Sequence, residues 1–321
     1  MRPLPLVRLL QSVQEQTLYP NEILVIDGST NDETMHILSK NSMQNLHYFK
    51  VEDHHRGLTK QRNFGIEKVN KQCDVVCFLD DDTMLDTHYF ENLIGTYKRY
   101  PEALGVGGYI SNQVKWTRVA SKTTRKKFYY DGWERPEPIR FQVRRFFGLQ
   151  PNTQPCILPN FSHGRSVGFL PPSGKIYEVE QFMGGVSSFK KVVFNTLTFS
   201  SYFEGYGLYE DADFTLRLSK LGKLYVNTAA QLEHHHDSTG RPNKYVYGKM
   251  VARNGWYVWR VKHQYPSLKA RIKWNLTFIL LMKLRFINVF TSKNSYEAFT
   301  EGMGRLIGWF SLILNKPRVE R

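Results

Sequence analysis

Val75-Val76-Cys77-Phe78-Leu79-Asp80-Asp81-Asp82-Thr83 is the stretch on which the fold of this chain turns. A run rich in strand-forming residues ends in three consecutive carboxylates. Adjacent like charges repel, so three acids in this place require a cation or a ligand to offset the repulsion. In an open α/β sheet, ligands bind beyond the carboxyl ends of the strands, which would set these acids at the rim beside a nucleotide and a hard metal ion. The competing reading is a strand followed by a helix start, with Asp82 or Asp86 as cap and the other acids solvated. One or two acids would favour the cap; three favour the metal.

Outward from this stretch, strands and helices alternate. Leu6, Leu9, Leu10 and Val13 fall at helical spacing behind Pro5, so residues 5–16 read as an amphipathic helix. Residues 22–27 (EILVID) read as a short buried strand, and the polar loop from Gly28 to Asp32 feeds a helix ending near residue 40. Residues 46–51 and 74–79 read as strands, 58–69 as a helix, 86–100 as a helix stopped at Pro101, and 105–111 as a returning strand. Gly184-Gly185 opens a further short strand. A helix over 210–221 carries Phe214, Leu218 and Leu221 on one face, and short strands follow at 223–227 and 231–235. This alternation predicts an α/β fold with a mostly parallel, doubly wound sheet.

Two regions depart from the alternation. Residues 115–182 are basic and aromatic with interspersed Pro and Gly, and a structureless loop of that length is unusual in a compact domain, so short elements and a contacting role are expected. Residues 245–321 read as helical, with Lys and Arg interleaved among Trp, Phe and Leu. That pattern suits helices lying in a membrane interface and equally suits helices packed back on the domain. The most apolar tract, 276–282, is far shorter than the roughly 20 residues that cross a bilayer, and Lys273, Lys283 and Arg285 flank it. Residues 1–16 lack the apolar core of a signal peptide.

Composition sets the outer bounds. With 321 residues, 41% of them hydrophobic, the chain can bury a sizeable core and is not disordered. A formal net charge of +15 implies anionic partners: nucleotide diphosphates, lipid headgroups, acidic glycans or nucleic acid. Three cysteines, Cys73, Cys77 and Cys156, give no disulfide framework and point to a reducing, cytoplasmic compartment.

Four motifs stand in fixed order: Val25-Ile26-Asp27-Gly28-Ser29-Thr30-Asn31-Asp32, Gly57-Leu58-Thr59-Lys60-Gln61-Arg62-Asn63-Phe64-Gly65-Ile66, Leu79-Asp80-Asp81-Asp82, and Glu210-Asp211-Ala212-Asp213-Phe214-Thr215-Leu216-Arg217-Leu218. Together they resemble a family 2 glycosyltransferase with the GT-A fold, of the type that builds bacterial surface polysaccharides. The resemblance covers most of residues 6–236. It implies a Rossmann-like, mostly parallel sheet flanked by helices over residues 1–240. Within that domain, 1–112 form a nucleotide-binding half, 113–182 a basic insertion and 183–240 an acceptor-binding half. Residues 241–321, beyond the resemblance, then form a C-terminal helical region, open to both readings given above, association with a membrane or packing on the domain.

Each motif also has a reading of its own. Asp27, ending a strand before a Gly-Ser turn, can accept a hydrogen bond from a base edge, as the matching acid does in the family; the same pattern also makes an Asx turn. Arg62 suits phosphate or base recognition and Asn63 suits holding the loop. The resemblance makes Asp80 the ribose partner, places Asp81 beside it in the nucleotide-sugar site, and makes Asp82 the chief ligand of a Mg²⁺ or Mn²⁺ ion bridging the diphosphate. It makes Asp211 the general base of a single displacement with inversion. Glu210 and Asp211 would equally be stabilised as acids at a helix N-terminus. Tyr209, ending the lead-in Gly205-Tyr206-Gly207-Leu208-Tyr209, is assigned with Gly185 and Glu210 to the acceptor. In His234-His235-His236-Asp237, neighbouring strand side chains alternate in direction, so His234 and His236 are assigned to the metal in preference to His235.

The start of the chain departs from the pattern. Family members usually open with a buried strand and polar turn ahead of the helix that here begins at Pro5, and residues 1–4 cannot supply them. Losing that strand would leave a gap flanked by unpaired strand edges. Either translation begins upstream of Met1, which the intact motifs favour, or the chain is a degenerate member with impaired donor binding. The expected function is transfer of a sugar from a nucleotide-diphosphate donor to a glycan or lipid-linked acceptor in surface-polysaccharide biosynthesis. The setting would be the cytoplasmic side, peripheral at the inner membrane face, with no nucleic-acid partner. Two alternatives are a metal-dependent phosphohydrolase using Asp80, Asp82 and the histidines, and a non-catalytic basic module binding nucleic acid or acidic glycan through residues 115–145.

Overall fold

The structure, a computed structural model, describes residues 2–40, 43–121, 123–235 and 242–319. In chain order its strands and α-helices are α1 (Pro3–Gln14), β1 (Ile23–Asp27), α2 (Glu33–Ser39), β2 (Leu46–Lys50), α3 (Leu58–Lys68), β3 (Val75–Leu79), β4 (Thr83–Leu85), α4 (Tyr89–Arg99), β5 (Ala103–Ile110), β6 (Thr117–Arg118), β7 (Lys127–Tyr130), β8 (Trp133–Pro136), α5 (Ile139–Phe146), β9 (Ile176–Val179), β10 (Val186–Lys190), α6 (Glu210–Leu218), β11 (Lys223–His234), α7 (Lys244–Lys262), α8 (Leu268–Thr291) and α9 (Ser295–Leu314).

These elements gather into two compact units, Met1–Lys115 with Leu170–Thr239, and Trp116–Phe169 with Gly240–Arg321. Most of the basic insertion, expected inside the catalytic domain, therefore folds with the C-terminal helices. Hydrogen bonds account for this: the Trp259 indole donates to the Asn160 carbonyl at 3.0 Å and Lys262 Nζ to the Leu158 carbonyl at 2.8 Å. The division also sorts charge. The second unit carries 26 Lys and Arg against six Asp and Glu, whereas the first carries 18 against 23.

The first unit is α/β as expected. Its principal sheet runs β3-β10-β5-β11-β4, with β9 also on β11. The pairing is mixed: β5 and β11 are parallel, while β10 is antiparallel to both its neighbours, as β11 is to β4 and β9. The β1–β2 pair is parallel and forms a separate two-stranded sheet. Helix–strand alternation suggests parallel pairing but carries no information about β10, which returns between β3 and β5 after the excursion into the second unit. Residues 223–234 form one strand with a register shift between Val226 and Gln231, where two short strands were expected. β3 is an edge strand of the principal sheet among the described residues, and all five of its residues are half-buried, although the sequence reads as a buried strand.

Packing follows the helical spacing. Leu6, Leu9, Leu10 and Val13 of α1 are all buried in a core with Tyr89, Leu93 and Tyr97 of α4, Val106 of β5 and Leu232 of β11. Burying each Leu or Val side chain contributes about 1.5–3 kcal/mol. A second, aromatic cluster joins β3, β10 and α6: Phe78 to Phe199, ring centroids 5.5 Å apart, Phe189 to Phe214 at 4.9 Å, and Phe199 to Phe214 at 4.3 Å.

Candidate active site

After β3 the chain turns through the three aspartates into β4, not into a helix. Thr83 N–H donates to the Asp80 carbonyl, and Thr83 then pairs with His234 on β11, as Leu85 does with Leu232. This short ladder carries His234 to the acids. His234 Nε2 lies 2.9 Å from Asp82 Oδ1, and the His235 backbone N–H donates to the Asp82 carbonyl at 2.9 Å. The His235 side chain, on the alternate face, instead meets Glu233 at 3.0 Å. His236 lies outside the described residues.

Asp80, Asp82 and His234 each offer one ligand atom, all within 4.8 Å of one another. Two carboxylate oxygens and an imidazole nitrogen form a donor set that suits Mn²⁺ and accommodates Mg²⁺, so the residues fit the implied ion. The charges are already poised. Burial opposes ionisation of Asp82, but the hydrogen bond and charge of His234 and the Arg2 guanidinium outweigh it and hold the carboxyl well below the usual range. The hydrogen bond to Asp82 raises His234. Arg2 supplies a cation of its own: its Nη1 donates to Asp82 Oδ2 at 3.0 Å, its backbone N–H to Asp81 Oδ2 at 3.0 Å, and its Nη2 to Asp81 Oδ1. A guanidinium thus sits against the carboxylates that a divalent ion would use.

The two glycines ahead of β10 close the other side. The Asp80 backbone N–H donates to the Gly185 carbonyl at 3.0 Å, and a Cβ on Gly185 would overlap the Asp80 carboxylate. A Cβ on Gly184 would come within 2.6 Å of Arg62 Nη1 and 2.7 Å of Glu210 Oε1. Only glycine lets the backbone approach all three side chains. Arg62, on α3, is buried with its guanidinium 5.2 Å from the Phe199 ring centroid and 5.7 Å from that of Phe78. Its Nη1 lies 2.6 Å from Glu210 Oε1, within donor distance in either protonation state of that carboxyl, and Asp80 lies at the limit of ion-pair range, 3.9 Å. Asn63 holds Phe199 by a double hydrogen bond, 2.9 Å in each direction, so the aromatic wall under Arg62 is fixed from α3 itself.

Glu210 and Asp211 open α6. Burial pushes the Glu210 carboxyl up, to about 8, against the pull of Arg62. Glu210 Oε2 is buried without a hydrogen-bond partner among the described residues, a cost of about 1–3 kcal/mol that an incoming hydroxyl would relieve. Burial also raises Asp211, which accepts from Ala212 N–H at 2.7 Å and Gly184 N–H at 3.2 Å. Since Gly184 contacts Asp211 and Gly185 contacts Asp80, two consecutive residues join the helix acids to the strand acids. Tyr209 precedes them in the left-handed region, φ 70°, and turns the chain into the helix.

Asp27 is fully buried at the end of β1. Its Oδ1 accepts from Ser29 N–H at 2.8 Å and Ser29 Oγ at 2.6 Å, and its Oδ2 from Tyr48 OH at 2.9 Å. The Asx turn forms, and the carboxylate is held below its usual range by these donors despite burial. These side-chain hydrogen bonds run to Tyr48 on β2 and to the Ser29 turn. Sequence reasoning missed Arg2, Gly184 and Gln61. Gln61 Nε2 donates to the Ile26 carbonyl at 2.9 Å and so ties α3 to β1. The Gly-Gly pair was a visible signal for Gly184, whereas nothing in the pattern marked Arg2.

A family model described as glycosyl transferase family 2 matches residues 2–167. The O-antigen chain rhamnosyltransferase RfbN of Salmonella typhimurium is 33% identical over 89 residues, 27% of this chain and 27% of that protein. The glucosyl-dolichyl phosphate glucuronosyltransferase of Haloferax volcanii is 28% identical over 99 residues, 31% of each. The match thus spans less than a third of the length of these curated relatives. Among solved structures, GalNAc-T7 with UDP, GalNAc and Mn²⁺ is similar at TM-score 0.49 and 16% identity, over 78% of this chain and 45% of its own. The mannosyltransferase PcManGT from Pyrobaculum calidifontis, with GDP-Man and Mn²⁺, also has TM-score 0.49, at 12% identity over 99% and 73%.

Proposed function

The chain belongs to glycosyl transferase family 2, and from that membership we propose that it moves a sugar from a nucleotide-diphosphate donor to a hydroxyl of a glycan or lipid-linked acceptor, with inversion. The observation that carries this reading is the single cluster in the first unit joining Asp80, Asp82 and His234 to Arg62, Glu210 and Asp211 through Gly184 and Gly185. The names of the curated relatives, an O-antigen chain rhamnosyltransferase and a glucosyl-dolichyl phosphate glucuronosyltransferase, support a glycan or lipid-linked acceptor in surface-polysaccharide biosynthesis.

In this reading Asp82, with Asp80 and His234, would hold Mg²⁺ or Mn²⁺, which when bound would supply positive charge to offset that of the leaving diphosphate. His236 is proposed as a further ligand. Asp80 and Asp81 take the ribose side, Asp27 the base through its remaining lone pairs, and Arg62 the anionic diphosphate from its aromatic seat. Glu210 Oε2 receives an acceptor hydroxyl, with Gly185 and Tyr209 shaping the space. Asp211 removes the proton from the attacking hydroxyl as the bond to the anomeric carbon forms and the diphosphate departs. A carboxyl raised by burial and oriented by two backbone N–H groups suits a base of this kind. Peripheral contact with the cytoplasmic membrane face, where a lipid-linked acceptor would be met, is part of the proposal.

Incubation with a panel of nucleotide sugars and Mn²⁺, with released nucleoside diphosphate as readout, tests it. Turnover should appear with one donor and vanish in both Asp82→Ala and Asp211→Asn. Full turnover in either variant refutes the assigned roles. Release of phosphate from simple phosphate esters without any sugar nucleotide would favour the phosphohydrolase instead.

A further inference from the structure

In the second unit, helix α5 turns a charge inward and apolar groups outward. Arg144 is buried because its Nε and Nη1 donate to the Leu149 and His163 carbonyls at 2.8 and 2.9 Å, which ties the following loop to the helix. Ile139, Phe146 and Phe147 then face out, 71%, 83% and 57% exposed. Phe147 also lines an open groove of about 460 Å³, whose apolar wall it forms with Leu149 and with Leu268, Ile272 and Leu276, which a spacing of four sets in one row along α8. Lys269 and Lys273 also line this groove, and Lys273 Nζ lies 4.8 Å from the centroid of the Phe161 ring. Lys269, Arg271 and Lys273 occupy the first two turns of α8, where the helix dipole disfavours cations, and no acid stands in its first turn. Helix stability does not account for them. A contiguous exposed apolar patch of this kind marks a contact.

We propose that this face, the outer side of α5 with the first turns of α8, docks on an anionic phospholipid bilayer. Phe146, Phe147, Leu268 and Ile272 enter the interface, and Lys269 and Lys273 meet the headgroup phosphates. Charge selects the occupant. With 26 Lys and Arg against six acids in this unit, a two-fold contact with a second copy would oppose two cationic faces. A nucleic acid would leave the apolar groove unfilled. No described helix is long and apolar enough to cross a membrane, and an apolar row bordered by Lys and Arg is the arrangement of an interfacial helix. The inference deepens the membrane-contact part of the proposed function and rests on that part alone.

Co-sedimentation of the full chain with phosphatidylcholine vesicles, with or without phosphatidylglycerol, reads this without any sugar transfer. The protein should bind the anionic vesicles and leave them at high salt. Lys269→Gln with Lys273→Gln should weaken partitioning about 30-fold, at roughly fivefold per lysine. Phe146→Ser with Phe147→Ser should weaken it at least about tenfold. Unchanged melting temperatures are expected of the Phe pair because both side chains are exposed. Lys269→Gln alone gives a reading free of the half-buried Lys273, and Ile139→Ser, at the start of α5, gives a second reading if the Phe pair fails to fold. Four results overturn the proposal: no binding, equal binding to neutral vesicles, variants that bind as the parent does, or self-association lost in the Phe pair. RNA binding in place of vesicle binding, abolished by the Lys pair, would overturn it too. Because the readout needs no sugar nucleotide, its failure leaves donor turnover intact, and failure of turnover leaves vesicle binding intact.

Discussion

The two units differ in how their buried acids are met and in how much charge surrounds their exposed apolar groups. In the first, Asp27, Asp82 and Glu210 are 0%, 7% and 5% exposed and cluster with polar and cationic side chains. In the second, Glu134, Glu137 and Glu301 are also buried but each is paired with Lys or Arg, and large apolar groups, Phe146 at 83% and Phe290 at 90%, stay outside on a strongly basic unit. Each arrangement is unfavourable for folding alone. Buried carboxylates need partners, and here Ser29, Tyr48, His234, Arg2 and Arg62 supply them. Exposed apolar rows forgo burial that other surfaces obtain. A buried polar cluster fits chemistry on a small polar ligand, and an exposed basic, apolar face fits contact with a large surface.

Substitutions in the first unit test its half of this contrast, beginning with the largest expected effect. Asp82→Ala removes the buried carboxylate shared by His234 and Arg2 and should lower sugar transfer on the order of 10³-fold. Asp211→Asn should cost about 10²–10⁴-fold in kcat with the KM for the donor nearly unchanged. A parallel loss of donor affinity would make Asp211 a structural acid. Gly185→Ala should destabilise by about 1–3 kcal/mol, since the Asp80 carboxylate fills the space. Gly95→Ala in α4, where a Cβ meets nothing within 4 Å, should stabilise by about 0.5–1 kcal/mol. Equal melting temperatures for the two would break the claim of close approach.

The smallest expected effect is in pH dependence. Burial raises the Glu210 carboxyl to about 8 in the folded chain, above its ordinary value of 4.5. Between those values the folded state holds a proton that the unfolded state has lost, so stability declines as pH rises through this window. Glu210→Gln cannot titrate and should flatten the decline, as melting curves from pH 5 to 8 would reveal. A steeper decline in the variant would contradict the burial of this carboxyl.

Much of this contrast is legible in residues. Leu6, Leu9, Leu10 and Val13 announce α1 by spacing, and each is buried. Three of the four motifs that carry the resemblance, those of Arg62, Asp80 and Glu210-Asp211, meet in one cluster of the first unit, while Asp27 bonds within its own turn and to β2. Strand direction was not legible, because β10 makes its antiparallel pairings only after residues 116–169 have folded elsewhere. The division of charge was hidden for the same reason: the net +15 is an acidic unit added to a strongly basic one, and sequence order interleaves the two. Arg2 was illegible because its role depends on a turn of three aspartates nearly 80 positions away. The helix expected over 86–100 forms as α4, but the short strand β4 between it and the acids was not legible, because it exists only through its pairing with β11.

The central claim is that Asp80, Asp82 and His234 hold a divalent ion through which the donor binds. Thermal denaturation across a panel of sugar nucleotides, with Mn²⁺ or with chelator, measures it most directly. The account predicts that one nucleotide sugar raises the melting temperature only when Mn²⁺ is present, and that Asp82→Ala removes the shift. A shift of equal size in chelator, or one that survives Asp82→Ala, would contradict it.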